Sequence, residues 1–430
     1  MRYFFDTEKK CRNHFVNNMF SVLICLLPLL NAYSVKRIPG ALSDIAIVFM
    51  AVMTAVSLVR NPRISYSGYG NLFLPYAVVI FFSFLFHTEL SGAVTDYLRQ
   101  FFMLFIAVFG LSRCGSFSAA FKALEVTAVF TSIYCWMQVF FLYVRNTILP
   151  SFLPFFEHRS DLDFEYQYLN HKSYYRPHSI FSEPSIFCEY ILLYFILLLF
   201  HDMSGNQAGL LSEGKSIRKY KRKKFVKILF ITATCFITGS TTGILGCVIF
   251  LVLYFWRSIL KADNVLQKTG KYFPLIAAAL LCLMNTPMFR IFVTRVFIDH
   301  SSLNLRFGNI GYIFDGDFLY VLFGRGFAYD DVVREIGWIP GYALVIVYFG
   351  MAGLGILLAA CGILYHRISR KNYLGKAVFL YFVIMNCTSY PLFSAFFLTD
   401  LFFIFHTKQH GLENICQNTS ALAGETAWNL

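Results

Sequence analysis

The stretch Tyr174-Tyr175-Arg176-Pro177-His178-Ser179-Ile180-Phe181-Ser182-Glu183-Pro184-Ser185 brings a guanidinium and a carboxylate close together in sequence, directly ahead of an apolar block. Arg176 offers a planar fork of N–H donors that matches phosphate oxygens. It equally suits an interfacial arginine reaching lipid headgroups. Pro184 fits a first helical turn and Ser182 a cap position, so Glu183 falls at a helix start. The positive end of a helix dipole favours a carboxylate there. Such a group can take a proton from a sugar hydroxyl, hold an arginine in place, or serve only as a capping acid. The neighbouring Tyr166, Tyr168, Tyr174 and Tyr175 are candidate sugar-stacking surfaces or plain interfacial tyrosines.

A second polar group follows further along the chain. Arg295, Asp299, Ser302 and Arg306 are spaced by four, three and four residues, which puts them on one face of a helix. Two cations with an acid between them can clamp a diphosphate, or form a solvated face with one salt bridge. Next comes Leu322-Phe323-Gly324-Arg325-Gly326-Phe327, where glycines beside Arg325 allow backbone to approach a ligand closely. Between two apolar blocks lies Thr238-Gly239-Ser240-Thr241-Thr242-Gly243. Its hydroxyls and amides, Ser240 foremost, can bind a phosphate or a sugar, or make an ordinary turn. Asp44, Glu125, Glu189 and Asp400 fall inside apolar windows, where ionisable residues are functional candidates. Only Asp400 is expected to lie deep, and no proton relay is evident.

The elements that carry these residues follow from composition. The chain has 430 residues, of which 57% are apolar and 14% charged. A soluble domain carries about 25% charged residues, so the solvent here is lipid. The apolar residues come in blocks of about 15–25, which suits helices that satisfy their own backbone groups. Twelve such windows are expected: Phe15–Asn31, Ala41–Leu58, Leu72–Phe86, Leu98–Leu111, Phe121–Val144, Ile186–Phe200, Phe225–Thr238, Thr242–Phe255, Tyr272–Asn285, Ile339–Tyr365, Leu374–Cys387 and Leu392–Phe405. The predicted fold is an all-α polytopic membrane protein forming a single domain over residues 1–430. No cleavable signal peptide is expected, because Phe15 to Asn31 lacks a clear small-residue cleavage site.

Every second loop is basic, most strongly Lys215, Arg218, Lys219, Lys221, Arg222, Lys223 and Lys224. That alternation places both termini in the cytoplasm. It also explains the net charge of +13 without a nucleic-acid partner. Two long loops, 145–185 and 287–338, then fall together on the outer face, and loops of that length carry function. The eleven cysteines form no CxxC pair, and several lie in apolar blocks, which argues against a disulfide framework or a zinc site.

Three segments together resemble the O-antigen and capsule polymerase (Wzy) family, within the wider O-antigen polymerase and ligase superfamily. They are Arg176 through Ser185 entering an apolar helix, Phe236-Ile237-Thr238-Gly239-Ser240-Thr241-Thr242-Gly243, and Arg295 through Arg306 followed by Leu322–Phe327 and the glycine-rich helix near Gly350 and Gly355. Family members often have an arginine where this chain has Thr241, a departure that bears on a phosphate role for that hairpin. The resemblance implies a C-type glycosyltransferase-like helical fold in the bacterial cytoplasmic membrane. It implies a glycan on undecaprenyl pyrophosphate as substrate, with no metal or nucleotide sugar as cofactor. A chain-length regulator and a flippase are the implied partners, besides membrane lipid. Glu183, Arg176 and Arg306 are then the expected catalytic residues, and Arg295, Arg325 and Ser240 the expected pyrophosphate ligands. The runner-up is an O-antigen ligase, which passes the glycan to lipid A core. A lipid-linked oligosaccharide flippase would instead need charges along a central cavity, and a scaffold would tolerate loss of Arg176 and Arg306.

Overall fold

The computed structural model describes residues 2–34, 40–60, 69–86, 93–153, 156–158, 175–201, 217–260, 311, 317–327, 339–368, 372–388 and 394–407. Among these the chain is mostly helical. The helices are α1 (Arg2–Leu30), α2 (Leu42–Arg60), α3 (Leu74–Phe86), α4 (Val94–Phe105), α5 (Phe117–Arg145), α6 (Pro184–Phe200), α7 (Ile217–Ile237), α8 (Thr241–Leu260), α9 (Phe318–Phe323), α10 (Gly341–Arg367), α11 (Tyr373–Thr388) and α12 (Phe396–Thr407). Three of them, α2, α5 and α10, are long and apolar enough to cross a membrane, and several others are shorter and apolar. The architecture is compatible with an all-α membrane protein. The window Tyr272–Asn285 lies outside the described residues.

What the helices expose supports that reading. On α2, Ser43, Ala46, Ile47, Met50, Ala51 and Thr54 recur at helical spacing and are buried. The opposite face shows Ile45, Val48, Phe49, Val52 and Val56, all exposed. The same holds for Val126, Phe130, Ile133 and Phe140 on α5. Water would penalise a continuous apolar face of this extent, whereas hydrocarbon accepts it.

The chain divides into two compact units, and the division falls inside α5. The first comprises residues 1–127, 202–212 and 306–430. In it α4 passes into a π-helical turn over Ile106–Gly110. A 3₁₀ turn, Tyr69–Phe73, packs against that turn, with Gly70 so close that a Cβ there would sit 2.4 Å from Ala107 O. Asp44 makes a bidentate pair with Arg99, with Nε 2.6 Å from Oδ1 and Nη2 2.9 Å from Oδ2. It also accepts the Ala41 N–H at the start of α2. Asp44 is thus a structural acid joining α2 to α4. Asp400, expected deep, is buried on α12.

The second unit comprises residues 128–201 and 213–305. Its centre is α6, which is largely apolar apart from Glu189 and is buried from Phe187 to Phe200. The helix α8 approaches it through Gly243 and Gly246. A Cβ at Gly243 would meet Cys188 Sγ at 2.6 Å, and one at Gly246 would meet Leu192 Cδ2 at 2.3 Å. Such small-residue seams are how membrane helices gain close packing. Lys224, one of the basic cluster, donates to Leu199 O at 3.3 Å near the end of α6, so this cation also serves the helix C-terminus.

Candidate functional site

In the second unit, residues 175–183 form a turn and a short extended run leading into α6. His178 Nδ1 donates to Phe181 O, and Phe181 N donates back to His178 O at 3.1 Å. Phe181 seats its ring on α6 against Phe187 and Tyr190, at centroid distances of 5.5 and 5.2 Å. Between them Ser179 adopts φ 57°, a left-handed conformation rare outside glycine. His178, Ser179 and Phe181 are all buried. A loop segment without regular structure is thus packed as firmly as a core element.

Arg176 and Glu183 stand at the two ends of this packed turn, and both are half-buried. Glu183 itself occupies the N-cap position of α6, with φ −147° and ψ 153°, because Pro184 takes the first helical position. The expectation that Ser182 would be the cap is corrected by one residue. The Glu183 carboxylate makes no cap hydrogen bond. Its oxygen Oε2 accepts from Ser185 Oγ at 3.0 Å instead. Simple capping therefore does not account for this acid. Tyr175 is fully buried, which corrects its reading as a stacking surface. Tyr166, Tyr168 and Tyr174 lie outside the described residues.

The hairpin between α7 and α8 lies against the first turns of α6. Cys188 connects them: its thiol is 3.0 Å from Thr238 Oγ1. Thr238 Oγ1 donates to Cys235 O at 2.8 Å and accepts the Ser240 N–H at 3.2 Å. Gly239, at φ 60°, makes the turn. Ser240 is buried and sits at the start of α8, where Oγ accepts from Gly243 N at 3.5 Å and its carbonyl from Ile244 N at 3.0 Å. The hydroxyls of Thr238 and Ser240 are thus engaged within the fold, as in an ordinary turn. Glu189, one turn into α6, is buried too.

In the first unit, Arg325 sits between two left-handed glycines, Gly324 at φ 83° and Gly326 at φ 68°. The sequence suggested that these glycines admit a ligand. They admit backbone. Arg325 N donates to Val347 O at 2.7 Å and Gly326 N to Tyr348 O at 2.9 Å. This pairing happens where α10 is broken at Gly350, with φ 68° and ψ −177°. A Cβ at Gly324 would sit 2.4 Å from Phe349 N, and one at Gly350 would sit 2.2 Å from Leu322 O. Phe327 then locks the strap into a cage of Tyr97, Tyr348 and Phe349, with ring centroids at 4.8, 4.7 and 5.4 Å. The Arg325 guanidinium lies over the Tyr320 ring at 5.5 Å.

Arg295, Asp299, Ser302 and Arg306 lie outside the described residues. Sequence reasoning missed Gln138, which holds Ser179, and the contact of Cys188 with Thr238. Gln138 was legible as a lone amide within the apolar block 121–144, where a polar group needs a partner. No protein-family model matches the chain, and no curated protein matches it.

Proposed function

We propose that this protein is a polysaccharide polymerase that joins undecaprenyl-pyrophosphate-linked repeat units on the outer face of the bacterial cytoplasmic membrane. In this reading the chain crosses the membrane about twelve times with both termini inside. The observation that carries the proposal is the packed turn 175–183, with Arg176 at one end and an uncapping Glu183 at the other. Rigid placement of a cation and an acid at a helix start is what group transfer from a pyrophosphate requires.

The chemistry runs as a displacement. A hydroxyl of the incoming lipid-linked repeat unit attacks the anomeric carbon of the growing glycan. The new C–O bond forms as the bond to the pyrophosphate oxygen breaks, and the lipid pyrophosphate leaves with that electron pair. Glu183 takes the hydroxyl proton. Arg176, with Arg306, Arg295 and Arg325 as further candidates, offsets the charge that grows on the leaving group. A chain-length regulator and a flippase are the partners such a reaction calls for.

The test is reconstitution in proteoliposomes with a lipid-linked repeat unit, scored for polymer and for released undecaprenyl pyrophosphate. The expected result is polymer from the wild type and little from Arg176→Ala or Arg306→Ala. No polymer from the wild type, or undiminished polymer from both variants, overturns the proposal. Transfer to lipid A core without polymer would mark a ligase.

A further inference from the structure

We infer that Gln138 is the clasp at the neck of the first long loop, a positioning residue that holds Ser179 in its left-handed conformation and so sets where Arg176 and Glu183 stand. The catalytic consequence rests on the polymerase reading; the clasp itself does not.

Gln138 lies two turns before the end of α5 and is fully buried. An amide in such surroundings is costly unless its hydrogen-bonding groups are used. Here they are used on one residue's backbone. Gln138 Oε1 accepts from Ser179 N at 2.9 Å, and Nε2 donates to Ser179 O at 3.1 Å. Two bonds from one planar amide fix the peptide groups on both sides of Ser179. The same Nε2 also donates to Ser151 Oγ at 3.1 Å. One turn earlier on α5, Tyr134 OH donates to Pro150 O at 2.7 Å. The face of α5 that carries Tyr134 and Gln138 therefore grips the loop where it starts, at residues 150–151, and where it ends, at residue 179. Closing a loop costs chain entropy, and these bonds offset it at the neck.

The side chain of Ser179 is not what Gln138 recognises. Its hydroxyl is buried and makes no hydrogen bond among the described residues, while its backbone N–H and C=O are both held. The residue type at 179 thus matters through φ and through the buried space it fills, not through its hydroxyl. Glycine adopts φ 57° freely, whereas a β-branched residue resists it. Exchange in α6 and α7 is the control for general loosening of the core. Ser179→Gly keeps the clasp, and Ser179→Val breaks it without touching Gln138.

Hydrogen–deuterium exchange on the purified full chain reads the clasp directly. In Gln138→Leu and Ser179→Val, amides of residues 175–183 exchange about tenfold to a hundredfold faster, as expected for lost buried hydrogen bonds. Exchange in α6 and α7 stays unchanged, and Ser179→Gly matches the wild type. Unchanged exchange at 175–183, equal loss of protection throughout α6 and α7, or a Ser179→Gly as deprotected as Ser179→Val overturns the inference. If Gln138→Leu does not accumulate, the Ser179 pair decides. In the polymer assay, Gln138→Leu lowers polymer yield, and adding it to Arg176→Ala brings little further loss, because the two act through one element. Full additivity of these losses overturns the positioning role. A wild type that makes no polymer overturns the polymerase reading, while the exchange pattern still decides the clasp.

Discussion

Two arginines stand in segments without regular helix, Arg176 in one unit and Arg325 in the other, and the fold makes each segment rigid by a different means. The Arg176 segment is held by side chains: an amide on the backbone of Ser179 and the phenyl ring of Phe181 on α6. The Arg325 strap is held by main chain, sewn to the carbonyls of Val347 and Tyr348 where α10 breaks, with glycine wherever a Cβ would collide. Side-chain clasps leave the loop's own backbone bonds to be completed from outside. Main-chain stitching completes them on the backbone of α10 and demands glycine in return. Both put a guanidinium on a fixed base, the arrangement that electrostatic stabilisation needs.

The comparison can be broken by substitutions of graded effect. Phe327→Ala empties the aromatic cage of the strap and is expected to cost about 3–5 kcal/mol, read as a fall in thermal midpoint of the detergent-purified protein. Arg176→Ala leaves that midpoint near wild type but lowers polymer yield about 10²–10³-fold, equivalent to about 3–4 kcal/mol in the barrier. Arg176→Lys recovers little of it, since an ammonium lacks the fork. Gly350→Ala places a methyl group against Leu322 O at a left-handed φ and costs about 1–3 kcal/mol by the same thermal measurement. Asp44→Asn, which weakens the partly exposed pair with Arg99, changes the midpoint least, by about 1 kcal/mol or less. If Arg176→Ala instead unfolds the protein, the arginine belongs to the frame of the packed turn and the contrast between the two segments collapses.

Much of the frame was readable in advance. Apolar block length and the lack of charge led to helices at α2, α5, α6, α8 and α10, each within a few residues of its observed ends. Pro184 announced the start of α6, and the shift of the cap from Ser182 to Glu183 is the one-residue uncertainty that cap positions carry. The bend in α10 was foreshadowed only as a glycine-rich helix. Its position at Gly350 follows from a contact with Leu322, remote in sequence, which no local pattern encodes.

Side-chain types alone set this chain among apolar neighbours, put Arg176 and Glu183 ahead of a helix start, and surround Arg325 with glycines. Those properties are local: they depend on side-chain polarity, on the ring of Pro184 and on the missing Cβ of glycine. Tertiary structure alone decided what the glycines approach, what the hydroxyls of the 238–243 hairpin bond to, and that Gln138 reaches across to Ser179. The pairings of Gln138 with Ser179 and of Cys188 with Thr238 join buried polar groups remote in sequence. The penalty for leaving such a group unmatched in an apolar interior is what selects the pairing.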